Sequence, residues 1–367
     1  MQTRDLVYQG LNIDELKVKI MPYREQEKVQ DKWLKTRLET ILPEVMKRSG
    51  IDMWIVACRE YNEDPTYLSL VPRSCISARR KSILLFYLND AGIVERYSIG
   101  RPGGELAQYY TSEWTNQKGS NWAVTSSKID ANGNPPESQY ECLKRVVDRC
   151  NPKKIGLNFS QYFAFGDGLS HQLYTEIEEG LQEHASKICS AENIAVGWLE
   201  TRSEEEVAAY TGIVQIAHAL IAEAFSSRVI IPGATTNADV KYYMMQKTFD
   251  LGLQPWFDYT VNVIRENEGD IHDETVILPG DLLHCDIGFK YLGLCTDTQE
   301  NCYILKLDEE EAPKGLLDAL TAANRLQDIT ISHYVEGKTG NEILKASLEQ
   351  ANSEGLAPSI YTHPIGV

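Results

Sequence analysis

The stretch Leu282-Leu283-His284-Cys285-Asp286-Ile287-Gly288, followed by Asp297 within Leu294-Cys295-Thr296-Asp297-Thr298-Gln299, decides how this chain is read. Its apolar and polar residues alternate with the period of two of a β-strand. A hairpin centred on Tyr291-Leu292 would set Asp286 directly opposite Asp297, with Cβ atoms about 4.5 to 5.5 Å apart. His284, Asp286, Asp297, Gln299 and Asn301 then share one face, while Leu283, Ile287, Phe289, Leu294, Cys302 and Ile304 mainly occupy the other. Like charges held opposite one another destabilise a sheet unless a counter-charge joins them. A divalent cation does so, and carboxylate oxygens suit hard or borderline ions. The spacing alone equally suits a solvated hairpin face with two ordinary aspartates, the commoner origin of such a pair.

The rest of the chain bounds the possibilities. Its 367 residues allow two or three domains with sizeable cores. With 36 basic against 53 acidic residues the net charge is −17, which disfavours nucleic acid or an anionic membrane as the main partner. No apolar run approaches the roughly 20 residues of a membrane span. The opening Met1-Gln2-Thr3-Arg4-Asp5 lacks the apolar centre of a signal peptide, so a cytoplasmic protein is expected, with export after loss of a leader as the alternative. The eight cysteines form no C-x-x-C pair and several lie in strand-like runs, as reduced core residues do.

The first half alternates helical and strand patterns. A helix is expected from about Arg24 to Arg48, stopped at Ser49-Gly50, then a buried strand over Ile51 to Cys58. Ser82 to Leu88 and Ile93 to Ile99 flank the hairpin signal Asn89-Asp90-Ala91-Gly92. A strand from Lys154 to Phe159 precedes a helix near Leu169 to Leu181. This is an α/β domain, with a loop over Ser126 to Ser138. Beyond about Ala191 the helices lengthen. Ser203 to Glu206 is a capping box opening a helix that Pro232-Gly233 follows, and Thr236 with Asp239 can open the next, ended by Gly252. A strand pair is expected around Thr260 to Arg265 and Val276 to Ile277, ahead of the aspartate hairpin. Helices return from Glu309 to about Val335 and from Gly340 to Ser353. The domains are placed at 1–193 and 194–367.

Upstream of the hairpin stand Asn262 to Arg265, His272-Asp273-Glu274 and Leu278-Pro279-Gly280-Asp281; downstream the chain runs Tyr361-Thr362-His363-Pro364-Ile365-Gly366-Val367. A histidine, a P-G-D turn, D-x-G, a second aspartate and then H-x-I-G, in that order, resemble the pita-bread metallopeptidases: methionine aminopeptidase, aminopeptidase P and prolidase, with creatinase as a non-metal relative. The resemblance covers about Leu199 onward, and the first half looks like the amino-terminal domain of the aminopeptidase P, prolidase and creatinase branch. It implies an α+β protein, in which a creatinase/prolidase-like α/β domain precedes a pita-bread catalytic domain of duplicated αβ units on a curved antiparallel sheet. It further implies hydrolysis of the bond before proline, by an Xaa-Pro dipeptidase or aminopeptidase, with a hydroxide held by two divalent ions (Mn, Co, Zn or Fe). The implied substrate is a peptide with proline in second position, and the implied assembly is a homodimer.

Carried over by position, Asp286 is implied as a terminal metal ligand, Asp297 as the bridge between two ions, and His363 as a ligand of the second. His272 matches the catalytic histidine that contacts substrate. His284 and Gln299 are expected to support the ligands by hydrogen bonding. His218, on an apolar helix, is expected to be a hydrogen-bonded core or interface residue. His171, His184 and His333 are expected to be exposed, and Asp308 to Glu311 to be a solvated helix start. The resemblance also implies two glutamate ligands a few tens of residues beyond the H-x-I-G histidine. This chain stops four residues after His363, so the expectation is a pita-bread domain lacking its final strands, inactive as it stands, from a longer enzyme. Where members often carry Thr then Arg after the second aspartate, Gln299 and Glu300 stand here, and Pro364 replaces a usual glycine. Two other readings remain: a non-catalytic pita-bread module that binds peptide or protein, and a creatinase-like amidinohydrolase working without metal through His272 and nearby carboxylates.

Overall fold

Strand β1, Met53–Arg59, shows most directly how the amino-terminal half folds, because both of its faces are buried. Trp54, Val56 and Cys58 enter one apolar cluster, and Met53, Ile55 and Ala57 the other. A strand with two apolar faces has to be covered on both sides. The computed structural model describes residues 13–100, 104–116, 129, 133, 136–271 and 273–361. The chain divides into two compact units, Met21–Thr211 and Gly212–Gly366, the latter joined by the segment ending at Ile20.

In the first unit, α1 (Tyr23–Thr36) continues through a π-helical turn at Arg37–Ile41 into α2 (Leu42–Ser49), which ends on Gly50 at φ 66°. Glycine adopts that left-handed conformation without a Cβ clash. After β1 come β2 (Lys81–Leu88), β3 (Val94–Ile99) and β4 (Thr111–Ser112), then α3 (Gln139–Cys150), β5 (Ile155–Leu157), α4 (His171–Leu181), β6 (Ile188–Ser190) and α5 (Glu192–Glu200). The sheet order is β4-β3-β2-β1-β5-β6, with β1–β2 and β2–β3 antiparallel and β1–β5, β5–β6 and β3–β4 parallel. Leu38, Leu42, Val45, Ile194 and Trp198 cover one face; Cys142, Val146, Ile177 and Leu181 cover the other. This is the expected α/β layering. Arg37 is buried, donating to both carboxylate oxygens of Glu206 and to the carbonyls of Trp198 and Thr201. A buried charge is tolerable only with partners of this kind.

The long helix α6 (Glu204–Ala224), which begins in the first unit and ends in the second, opens on the expected capping box: Ser203 N donates to Glu206 Oε2 at 2.7 Å and Glu206 N to Ser203 Oγ at 3.3 Å. By length and hydropathy it is the one helix among the described residues able to cross a membrane. Ile213, Ile216, Ala217, Leu220, Ile221 and Ala224 are nonetheless buried, the pattern of a helix packed into a protein core. Next come α7 (Asn237–Asp250), capped by Thr236 and Asp239, and the strands β7 (Gln254–Pro255), β8 (Thr260–Arg265), β9 (Gly269–Ile271), β10 (Leu282–Ile287), β11 (Phe289–Tyr291), β12 (Leu294–Cys295) and β13 (Thr298–Tyr303). They form an antiparallel sheet β13-β10-β8-β9 and a smaller one, β12-β11-β7. Helices α8 (Lys314–Ser332) and α9 (Gly340–Ser353) follow.

Some sequence expectations shift here. The partner of β8 is Gly269–Ile271, and Val276 makes only an isolated bridge to Thr236. Helix α8 begins after Pro313, whose fixed φ suits a helix entry, so Asp308 to Glu311 precede the helix; Glu309 there accepts from Tyr303 Oη and Lys306 N at 2.9 Å each. None of the eight cysteines forms a disulfide.

Candidate metal centre

Strand β10 alternates without a break. Leu283, Cys285 and Ile287 are fully buried, and Leu282, His284 and Asp286 are on the other, more open face. Register with β8 and β13 extends that open face into cross-strand rows. Thr260, Asp286 and Gln299 form one, Asn262, His284 and Asn301 the next, and Ile264, Leu282 and Tyr303 the third. The opposite face carries Val261, Cys285 and Glu300, and helices cover it: Asn237 Nδ2 donates to Val261 O at 3.0 Å, and Cys302 Sγ lies 3.8 Å from Phe225 O.

The register corrects the sequence reading. Asp286 stands across from Gln299, and Asp297 lies two residues further toward the turn. The reversal falls on Leu292-Gly293, between the paired Tyr291 and Leu294. Both turn residues have positive φ, 53° and 80°, as a two-residue hairpin matching the strand twist requires. Glycine at 293 accepts this freely, whereas a turn at Tyr291-Leu292 would force it on two bulky residues. Because the slip is by two residues, the faces are preserved.

Asp286 is the electrostatic centre of the row. Its Oδ2 accepts a hydrogen bond from Gln299 Nε2 at 3.1 Å, and Gln299 Oε1 lies 3.1 Å from His284 Nε2. Its Oδ1 is buried with no hydrogen-bond partner among the described residues. Burial pushes the carboxyl above the usual carboxylate range and the nearby charge of Asp297 adds to this, while His284 and Gln299 pull the other way. Asp297 and Gln299 are exposed. A buried, unsatisfied carboxylate oxygen beside a second carboxylate is what a divalent cation would complete, so the residues present fit such an ion. His272 and His363 lie outside the described residues.

The surroundings are built to hold this strand. Asp281 of the P-G-D turn, 1% exposed, accepts Arg265 Nε at 2.8 Å and Nη2 at 2.9 Å, together with Leu278 N at 2.7 Å. Bidentate guanidinium–carboxylate pairs fix geometry as well as charge. Gly288 ends the strand where no Cβ fits: one would lie 2.2 Å from Phe257 Cε1 and 2.4 Å from Thr296 O. Trp256 Nε1 donates to that same carbonyl at 2.6 Å. On the covered face His218 Nδ1 pairs with Glu300, so the residue standing where an arginine is usual is held by a helix histidine. The expectation of a hydrogen-bonded His218 agrees with this contact.

Sequence reasoning passed over Asn262 and Thr260, although the alternation of Thr260 to Arg265 could have placed them on the open face. It also misjudged two histidines. His184 is 7% exposed and bonded to Asp148 at 2.8 Å, and His333 is half-buried against Gln350 at 2.9 Å; in both, the ring packs while one nitrogen finds a partner. His171 is exposed. Asp148, Glu183 and His184 form the one group of three potential metal ligands close together among the described residues. Lys144 Nζ already bonds both carboxylates, at 2.9 and 3.0 Å, so a cation holds that position.

The model of metallopeptidase family M24 matches residues 209–367. No curated protein matches the chain. Among solved structures, the X-Pro aminopeptidase of Thermotoga maritima is similar with TM-score 0.57 at 16% identity, covering 85% of this chain and 78% of its own. A variant of Escherichia coli aminopeptidase P in complex with substrate gives 0.55 at 11% identity, covering 89% and 73%. The Xaa-Pro dipeptidase of Bacillus anthracis gives 0.50 at 15%, covering 88% and 78%. At these identities the likeness is one of fold. It defines a pita-bread protein with an α/β domain ahead of it, the architecture of Xaa-Pro aminopeptidases and prolidases.

Proposed function

We propose that this protein is a metal-dependent peptidase that hydrolyses the bond preceding proline, in dipeptides or at the amino terminus of longer peptides. The observation that carries the reading is the buried Asp286 Oδ1, without a hydrogen-bond partner among the described residues and beside Asp297, on the open face of a sheet within the M24 match. Asp286, Asp297 and His363 would hold divalent ions, which supply Lewis acidity and lower the pKa of water when bound. The chain's own residues prepare the place. Gln299 holds Asp286 through Oδ2, Arg265 and Asp281 fix the strand entry, and Gly288 lets Trp256 and Phe257 close on its exit. His272 would contact substrate, as the family resemblance implies. The neighbours named for Xaa-Pro cleavage support a proline-directed substrate.

The test is hydrolysis of Xaa-Pro dipeptides and proline-containing longer peptides by the protein purified from its native source, with and without added Mn, Co or Zn. Metal-stimulated cleavage that is lost in Asp297→Asn supports the proposal. No cleavage with any of these ions, at retained folding, would turn the reading to a peptide-binding module, and cleavage of creatine indifferent to chelator would turn it to an amidinohydrolase.

A further inference from the structure

We infer that His284 is a positioning residue that acts through Gln299 to preset Asp286 with Oδ1 toward a divalent ion, and is not itself a metal ligand; this rests on the metallopeptidase reading above. His284 sits two residues from Asp286 on the same face, where an imidazole could equally be a ligand. The hydrogen bonds take Nε2 out of the ligand role, and the Co(II) spectrum described below reads whether Nδ1 fills it. Asp286 Oδ2, a carboxylate oxygen, can only accept, so the Gln299 group facing it at 3.1 Å must be the amide N–H. The other end of the planar amide is then its carbonyl oxygen, and His284 Nε2, 3.1 Å away, must donate. Nε2 is thereby committed. Reversing the amide would aim a carbonyl oxygen at the carboxylate, so the charge of Asp286 and the histidine N–H together hold Gln299 one way round.

The geometry has a direct consequence for the carboxylate. With Oδ2 occupied, the buried Oδ1 is the oxygen left without a partner among the described residues, and Asp286 is offered to an ion through one oxygen. Register supplies the reach: Gln299 lies directly across from Asp286 and one row from His284. A threonine, usual at the equivalent of position 299 in the resembled family, is too short to link both.

The experiment is a double-mutant cycle read by calorimetric titration of the chelator-treated 367-residue chain with Co(II), comparing wild type, His284→Ala, Gln299→Leu and the double variant, each checked for an unchanged unfolding midpoint. Removing a group that orients a ligand costs about 10-fold or more in metal affinity. The expected result is a loss of about 10-fold in each single variant and no further loss on adding His284→Ala to Gln299→Leu. The visible spectrum of bound Co(II) should keep its shape throughout, because no ligand atom changes. Equal loss from His284→Ala in both backgrounds, with an altered spectrum, would make His284 a ligand and overturn the inference while leaving the metal reading in place. Unchanged affinity in both single variants overturns it in the same way. Absence of Co(II) binding in all four folded proteins overturns the inference and the metal reading together.

Discussion

Gln299 of β13 stands directly across from Asp286 of β10 and donates its amide to Oδ2 at 3.1 Å, while Asp297 acts on the same carboxyl from two residues nearer the turn. The pairing turns two acids from an opposed couple into a staggered one, in which one is braced by an uncharged neighbour and the other is left open to solvent.

Introduced into the native gene, Asp297→Asn should lower proline-dipeptide hydrolysis by the protein from its source at least about 100-fold while leaving the unfolding midpoint nearly unchanged. Asp297 is exposed, and surface changes stay within about 0.5 kcal/mol. Steady-state rates and thermal unfolding measured on the same preparation check both halves.

Gly288→Ala should destabilise the second unit by at least about 2 kcal/mol, because its Cβ would fall 2.2 Å from Phe257 and 2.4 Å from the Thr296 carbonyl. Urea unfolding followed through Trp256 fluorescence reads this, and a loss below 0.5 kcal/mol would contradict the packing described.

Arg265→Met leaves Asp281, 1% exposed, without its bidentate partner, at a cost of about 3 kcal/mol. Adding Asp281→Leu should recover part of that loss, since an apolar pair carries no stranded charge. A double variant less stable than the single one would refute this account.

In the first unit Glu176 supplies a pH signature. Burial alone would raise its carboxyl, but hydrogen bonds from Lys81, Tyr140 and Gln172 outweigh it and hold the group down at about 2. The unfolded chain takes up its proton near 4.3, so the stabilisation is full above that pH and is lost as pH falls toward 2. Glu176→Gln should therefore unfold below wild type at pH 7, with the gap narrowing by pH 3; a gap that widens on acidification would show the sign to be wrong.

Local rules made much of this legible. Alternation over Leu282 to Ile287 placed the acids on the open face and Leu283, Cys285 and Ile287 in the core, and capping pairs such as Thr339 with Glu342 marked helix starts. The hairpin register was not legible, because it depends on Leu292 adopting a left-handed conformation that its residue type disfavours; burial at 7% exposure is what the folded chain offers in return. The pairing of β8 with Gly269–Ile271 was hidden for a similar reason: three residues including a glycine and an aspartate carry no strand signal until a neighbour supplies the ladder. The links from His284 to Gln299 and from His218 to Glu300 depend on that register, so they could not be read before it.

The two residues Leu292 and Gly293 serve as the reading frame of the sheet. Gaining or losing one residue there with the two-residue turn kept would shift β13 by one against β10, setting Thr298 or Glu300 in place of Gln299 beside Asp286. A register shift of this kind would break the bond from Gln299 to Asp286, which substitutions elsewhere along the strands leave in place.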